Sequence, residues 1–207
     1  PSKSRGLGDV YKRQEVGGMQ SLMWGLSKEM SKNFMIKVFA DYHENHKEFD
    51  SDVNFSIERV GGIKFLRKIR KAQLINEFLK NSKVQGIIAD HWKSLELIKS
   101  SIKKYCLIHG KEINHPKDSS QNKRIIKVLD KVDKVIANSE YTKDLAISIG
   151  INPAKVVELA PKLIDVVPTV TAEFERDELP IFDNVFDEPL IVLFVSVFEV
   201  PENKVSN

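Results

Sequence analysis

Five short apolar runs rich in β-branched or aromatic residues recur along this 207-residue chain: FMIKVFA (34–40), VQGIIAD (84–90), YCLIHG (105–110), DKVIANS (133–139) and KVVELAP (155–161). A run of this length bounded by polar turns reads as a buried strand. The segments between them carry helical periodicity. Met19, Leu22, Met23, Leu26 and Met30 form one apolar stripe. Phe65, Ile69, Ala72, Ile75 and Leu79 form another, within GGIKFLRKIRKAQLINEFLK (61–80). WKSLELIKSSIKK, QNKRIIKVLDKV and SEYTKDLAISIG read as three further helices. In the last of these Ser139 stands at the N-cap and Gly150 where a terminating glycine belongs. Residues 41–60 begin polar and contain a possible second strand, NFSIERV. Strands alternating with helices give an α/β fold, a mostly parallel Rossmann-like sheet with helices on both faces.

Such a sheet binds ligands beyond the carboxyl ends of its strands. Polar residues stand at three of those ends: Asp90, His91 and Trp92; His109 and Gly110, with Glu112 and His115 just beyond; and Asn138 with Ser139. Each has a structural alternative. Asp90 and Ser139 can simply cap helices, and His91 can be a surface imidazole beside Trp92. His109 closes an apolar strand at the ligand edge, and function is the stronger reading there. His109, Glu112 and His115 lack the helical spacing that places two imidazoles on one face, and Pro116 adjoins them. No metal is expected, nor any other cofactor. His43 and His46 fall in a polar loop and read as solvated.

Composition excludes some classes. With 32 basic and 29 acidic residues the net charge is +3, so bulk charge does not imply nucleic-acid binding. Cys106 is the one cysteine, sits in an apolar run, and reads as a core residue in a reducing compartment. No apolar run reaches eighteen residues and no signal-peptide core opens the chain, so a cytoplasmic location is expected. The cations Lys64, Arg67, Lys68, Arg70 and Lys71 crowd the first half of helix 61–80. They read as a solvated face, or as a peripheral contact with an anionic membrane.

Gly17-Gly18 precedes the first helix without a strand before it. A glycine pair lets backbone N–H groups approach an anion at a helix start. No Lys-Ser or Lys-Thr follows, and G-x-G-x-x-G is absent, so neither a P-loop nor a dinucleotide fingerprint is present.

Taken together, Gly17-Gly18 with its helix, IIADHWKSLELI, CLIHGKEI and VDKVIANSEYTKDLAISIGINPAKVVELAP resemble the N-terminal half of family-4 glycosyltransferases of the GT-B class. The resemblance covers roughly residues 15–165 and is most specific in its last thirty-residue stretch. It implies retaining transfer of a sugar from a nucleotide-sugar donor to a glycan or lipid acceptor. His109 would reach the reacting centre, and Gly17, Gly18, His91, Asn138 and Ser139 would line the donor and acceptor pocket. Leu163 replaces the glycine that the family carries after its final strand. A non-catalytic two-lobed binding protein and an epimerase of similar form remain alternatives.

The expected organisation is therefore a non-native or disordered segment at 1–14, an acceptor-side domain at 15–165 and an acidic, proline-punctuated linker at 166–188. The strand PLIVLFVSVFEV within 189–207 would open a truncated donor-binding domain. On this reading the chain is a fragment inactive by itself, with the first strand of its sheet missing or poorly formed.

Overall fold

Alternation within the apolar runs decides how the sheet is covered. In a strand, successive side chains point to opposite faces. Ile87, Ala89, Cys106, Ile108, Val135 and Ala137 therefore face one way, and Ile88, Tyr105, Leu107 and Ile136 the other. Both sets are buried, so both faces need a cover. A computed structural model of the protein describes residues 18–42, 44, 46–51, 53–84, 86–159 and 191–195. The expected segment 1–14 and linker 166–188 lie outside the described residues.

In chain order the described elements are helix α1 (Gly18–Met30), strand β1 (Met35–Asp41), helix α2 (His46–Asp50), strand β2 (Ser56–Val60), helix α3 (Lys64–Asn81) and strand β3 (Gly86–Ala89). Helix α4 (Trp92–Leu95), strand β4 (Lys103–Ile108), helix α5 (Ser120–Leu129), strand β5 (Lys134–Ala137) and helix α6 (Glu140–Ser148) follow. A 3-10 turn (Pro153–Lys155) leads into strand β6 (Val156–Glu158), and strand β7 (Ile191–Val195) completes the set. The strands form one sheet in the order β2-β1-β7-β3-β4-β5-β6. Every pairing is parallel. The fold is Rossmann-like α/β, as the periodicity implies.

One face is covered by α3, α4, α5 and α6, through Ile75, Trp92, Leu95, Ile125, Leu129 and Ala146. The other packs against the Leu22, Met23, Leu26 and Met30 stripe of α1, joined by Phe55 and Leu159. Cys106 is fully buried in the first cluster, and that burial pushes its thiol well above the usual range.

Three expectations are corrected. Residues 191–195, read above as the first strand of a donor-binding domain, join the sheet of the first domain. They pair with β1 on one side and β3 on the other, Phe194 standing opposite both Val38 and Ile88. The physical reason is burial: an isolated apolar strand cannot bury itself, whereas the gap between β1 and β3 offers a partner ladder on each side. The central position is therefore filled, by a strand from far along the sequence.

WKSLELIKSSIKK is not one helix. Only Trp92–Leu95 is helical, and β4 already begins at Lys103. Tertiary partners end the helix early. The Asn76 amide donates to the Leu97 carbonyl at 3.0 Å and accepts from the Lys99 N–H at 2.8 Å. The Glu96 carboxylate is held by Arg124 at 2.7 Å and also by Lys68. The third correction concerns Phe65. It is 72% exposed, whereas Ala72 and Ile75 of the same stripe are buried, because the first turn of α3 projects past the sheet.

Candidate functional site

Strands β3, β4 and β5 are neighbours in the sheet, so the polar residues that end them stand side by side, about 4.8 Å apart from strand to strand. The helix α1 reaches the same edge. Its last turn is followed by a tight connection, with the Phe34 N–H donating to the Met30 carbonyl at 2.9 Å, after which β1 runs back along it. Thirteen helical residues span about 20 Å and seven extended residues about 23 Å. Gly18, at the start of α1, therefore comes level with the carboxyl ends of the strands. Gly17 lies outside the described residues.

His109 is the first residue past β4. Gly110 then turns the chain with φ +95°, a conformation that glycine adopts without penalty. The Gly110 carbonyl accepts from the N–H groups of Ile113 at 3.1 Å and Asn114 at 3.0 Å, closing a compact loop over the buried Ile113 side chain. Two further bonds fix this loop. The His109 N–H donates to Glu112 Oε1 at 2.5 Å, and Trp92 Nε1 donates to the Glu112 carbonyl at 3.2 Å. The wholly buried Trp92 thus ties the end of β3 to the turn after β4.

The His109 residue is half-buried. Nε2 of His109 is buried and has no hydrogen-bond partner among the described residues. Burial pushes the ring below the ordinary histidine pKa of 6.5, and the Glu112 charge pulls the other way. A ring held below that value is neutral at pH 7, with one nitrogen donating and the other accepting. A buried imidazole nitrogen without a partner costs free energy unless a ligand group completes it. This is the strongest indication of a site in the described chain.

The neighbouring strand ends are close by. The Asn138 N–H donates to the Ile108 carbonyl at 3.2 Å, and a side chain on Gly110 would come within 3.3 Å of Thr142 Oγ1. The turns after β4 and β5 are thus packed against each other. Ser139 is the N-cap of α6: its Oγ accepts from the Thr142 N–H at 3.3 Å and lies 3.1 Å from Thr142 Oγ1. His91 likewise caps α4, its Nδ1 accepting from the Lys93 N–H at 3.0 Å, with its ring 5.5 Å from that of Trp92. Asp90 is buried, accepts from Ser94 Oγ at 3.4 Å, and donates its N–H to the Val195 carbonyl at 3.2 Å. His109, Asn138, Ser139, His91 and Gly18 therefore share one edge, and Ser139 and His91 have structural duties there as caps.

The five cations of α3 are not one solvated face. Lys71 is buried and reaches Asp41 Oδ1 at 2.6 Å, while Arg67 Nε reaches Asp41 Oδ2 at 3.1 Å. Lys68 pairs with Glu96. Only Lys64 and Arg70 of the five are exposed. The reason is that α3 lies beside β1, whose last residue, Asp41, puts a buried carboxylate at the sheet edge. A buried carboxylate needs cationic partners. Asp41 is the site-edge residue that sequence reasoning passed over, although it ends its strand just as Asp90 ends the run 84–89.

Among the described residues no three His, Cys, Asp or Glu side chains gather as a metal-binding group. No described helix is long and apolar enough to cross a membrane. No family model matches the chain, and no curated protein matches it at a significant level.

Proposed function

We propose that this chain forms the acceptor-side domain of a retaining glycosyltransferase, which moves a sugar from a nucleoside-diphosphate donor to a hydroxyl of a glycan or lipid. The observation that carries this reading is the buried, unpartnered Nε2 of His109 at the carboxyl edge of a parallel sheet. The resemblance of CLIHGKEI and of the stretch 132–161 to family-4 glycosyltransferases supplies the reaction class.

The chemistry asks little covalent work of the protein. The bond from the anomeric carbon to the diphosphate oxygen breaks, a bond to the acceptor oxygen forms on the same face, and the acceptor hydroxyl's proton passes to the departing diphosphate. Charge builds up on the departing diphosphate and on an oxocarbenium-like sugar. Fixed donors placed where that charge develops lower the barrier, and positioning supplies much of the rest. A neutral His109 would hydrogen-bond a sugar hydroxyl or the reacting centre without adding a competing cation. The start of α1, with its orphan N–H groups and positive dipole end, would face the diphosphate.

The test is a survey of nucleoside-diphosphate sugars with the full-length gene product, reading acceptor-dependent release of nucleoside diphosphate. Release with at least one donor is expected. A folded protein that binds a sugar and never releases nucleoside diphosphate would instead be the two-lobed binding protein.

A further inference from the structure

The corner of the sheet beyond β1 holds a side-chain cluster that the His109 crevice does not use. Tyr42 follows the last residue of β1, and its N–H donates at 3.0 Å to the carbonyl of Val60, the last residue of β2. Tyr42 is 48% exposed, and its ring meets that of His46 edge to face, with centroids 5.1 Å apart. His46, expected to be solvated, has a side chain only 21% exposed. Its Nδ1 lies 3.1 Å from Asp50 Oδ2. Arg59 grips the same carboxylate on both oxygens, Nε to Oδ2 at 3.1 Å and Nη2 to Oδ1 at 2.6 Å. Its Nη1 donates to the Asp41 carbonyl at 3.2 Å.

A carboxylate paired in this way accepts and does not donate, so Nδ1 of His46 is the donor and the ring's orientation is fixed. Among the described residues no hydrogen bond reaches Nε2, on the other side of the ring. A staple for α2 would not need this imidazole, since Arg59 already holds Asp50. We infer that Tyr42 and His46 form a sugar-binding subsite, the tyrosine ring stacking on the C–H face of a pyranose and His46 Nε2 bonding one of its hydroxyls. A sugar ring offers that combination. Its C–H face carries partial positive charge that suits the negative face of an aromatic ring, and its hydroxyls both donate and accept. The neighbouring charges are engaged with one another, Arg67 and Lys71 with Asp41 and Arg59 with Asp50. The tyrosine and the imidazole are therefore the recognition groups.

The topology sets the length of the ligand. Tyr42 and His109 both stand at the carboxyl edge, just past β1 and β4. Those strands are three spacings apart, with β7 and β3 between them, roughly 14 Å across the sheet. One sugar ring at His109 does not reach Tyr42. The ligand is therefore an oligosaccharide running past the end of β3, with its reacting end at His109 and a sugar further back on Tyr42. Of the two acceptor classes this selects the glycan chain. Its direction toward His109 rests on the transferase reading, whereas sugar binding at Tyr42 does not.

The experiment screens the 207-residue chain against an array of defined oligosaccharides and measures the hits by titration calorimetry. Binding to at least one oligosaccharide is expected, with its component monosaccharide weaker by at least about tenfold. Tyr42→Ala should weaken binding about tenfold and His46→Ala about fivefold, with circular dichroism unchanged. His46→Gln, whose amide reaches the place of Nε2, should stay within about twofold of the wild type. Met35, 69% exposed at the opposite edge of the sheet, provides a control, and M35S should bind like the wild type. Failure to bind any oligosaccharide overturns the inference, as does undiminished binding by Tyr42→Ala. Equal losses in His46→Gln and His46→Ala also overturn it, and reduce His46 to a staple. In the full-length gene product, Tyr42→Ala should raise the acceptor KM about tenfold at constant kcat. Release of nucleoside diphosphate with an unchanged KM removes the subsite and leaves the transferase reading standing. Sugar binding without release from any donor does the reverse.

Discussion

Asp41→Ala removes the carboxylate that holds α3 against the end of β1. The Asp41 side chain is 6% exposed and that of Lys71 is 5%, so their 2.6 Å contact lies out of solvent. Arg67, the second partner, is 20% exposed and can turn toward water. Truncating Asp41 strips a buried ammonium of this partner, a change worth about 3–5 kcal/mol. Against a typical domain stability of about 5–15 kcal/mol, that is a large share. Lys71→Met should cost less, about 1–2 kcal/mol, because Asp41 retains Arg67 and the methionine refills the volume. The double variant should then be more stable than the sum of the singles by about 2 kcal/mol, since the second change removes the buried ammonium that has lost its Asp41 contact. Equilibrium urea unfolding at neutral pH, followed by circular dichroism, measures all three. An Asp41→Ala cost below about 1 kcal/mol, or strict additivity in the double variant, refutes the reasoning.

Gly110→Ala places a side chain at φ +95° and 3.3 Å from Thr142 Oγ1, and should cost about 1–2 kcal/mol, seen as a drop of several degrees in Tm. Glu96 is held at about 2, chiefly by the Arg124 guanidinium with Lys68 assisting against burial, below its ordinary 4.5. Because the folded value is the lower one, its contribution is present above pH 4.5 and lost as pH falls toward 2. Solvent screening leaves about 1–2 kcal/mol of it, and Glu96→Gln should abolish that part of the acid-side loss in a pH series of unfolding curves. Val195 is fully buried in the central strand, so Val195→Asp should cost more than about 4 kcal/mol in denaturant unfolding. In the wild type the backbone amides of 191–195 should exchange as slowly as those of β3, and exchange at the rate of an unfolded chain would remove β7 from the sheet.

Local chemistry wrote much of this fold into the sequence. The runs 86–89, 105–108 and 135–137 are short, apolar and buried on both faces, which suits strands of a doubly covered sheet. Ser139 announces α6 by a cap that the hydrogen bond to Thr142 realises. The site edge was legible for the same reason: once the sheet is parallel, polar residues at strand ends must converge. Long-range competition was not legible. Trp92, Leu95 and Ile98 mimic a helical stripe, yet Asn76 and Glu96 take their partners from elsewhere and break it. Ile191–Val195 reads locally as the start of something new, and only the vacant ladder between β1 and β3 determines where it goes. The cations of α3 have a spacing that suits a solvated face. Asp41, thirty residues from Lys71, and Glu96, twenty-eight from Lys68, take these two and Arg67 out of it.

His109 carries the functional proposal, and its replacement tests that proposal most directly. In the full-length gene product, His109→Ala should lower kcat/KM for sugar transfer by about 10²–10³-fold, the scale of losing one positioned donor. Circular dichroism should be unchanged, because the fold needs only the His109 backbone N–H, which donates to Glu112 and survives the substitution. Wild-type turnover by that variant would contradict the account and remove the imidazole from the reaction.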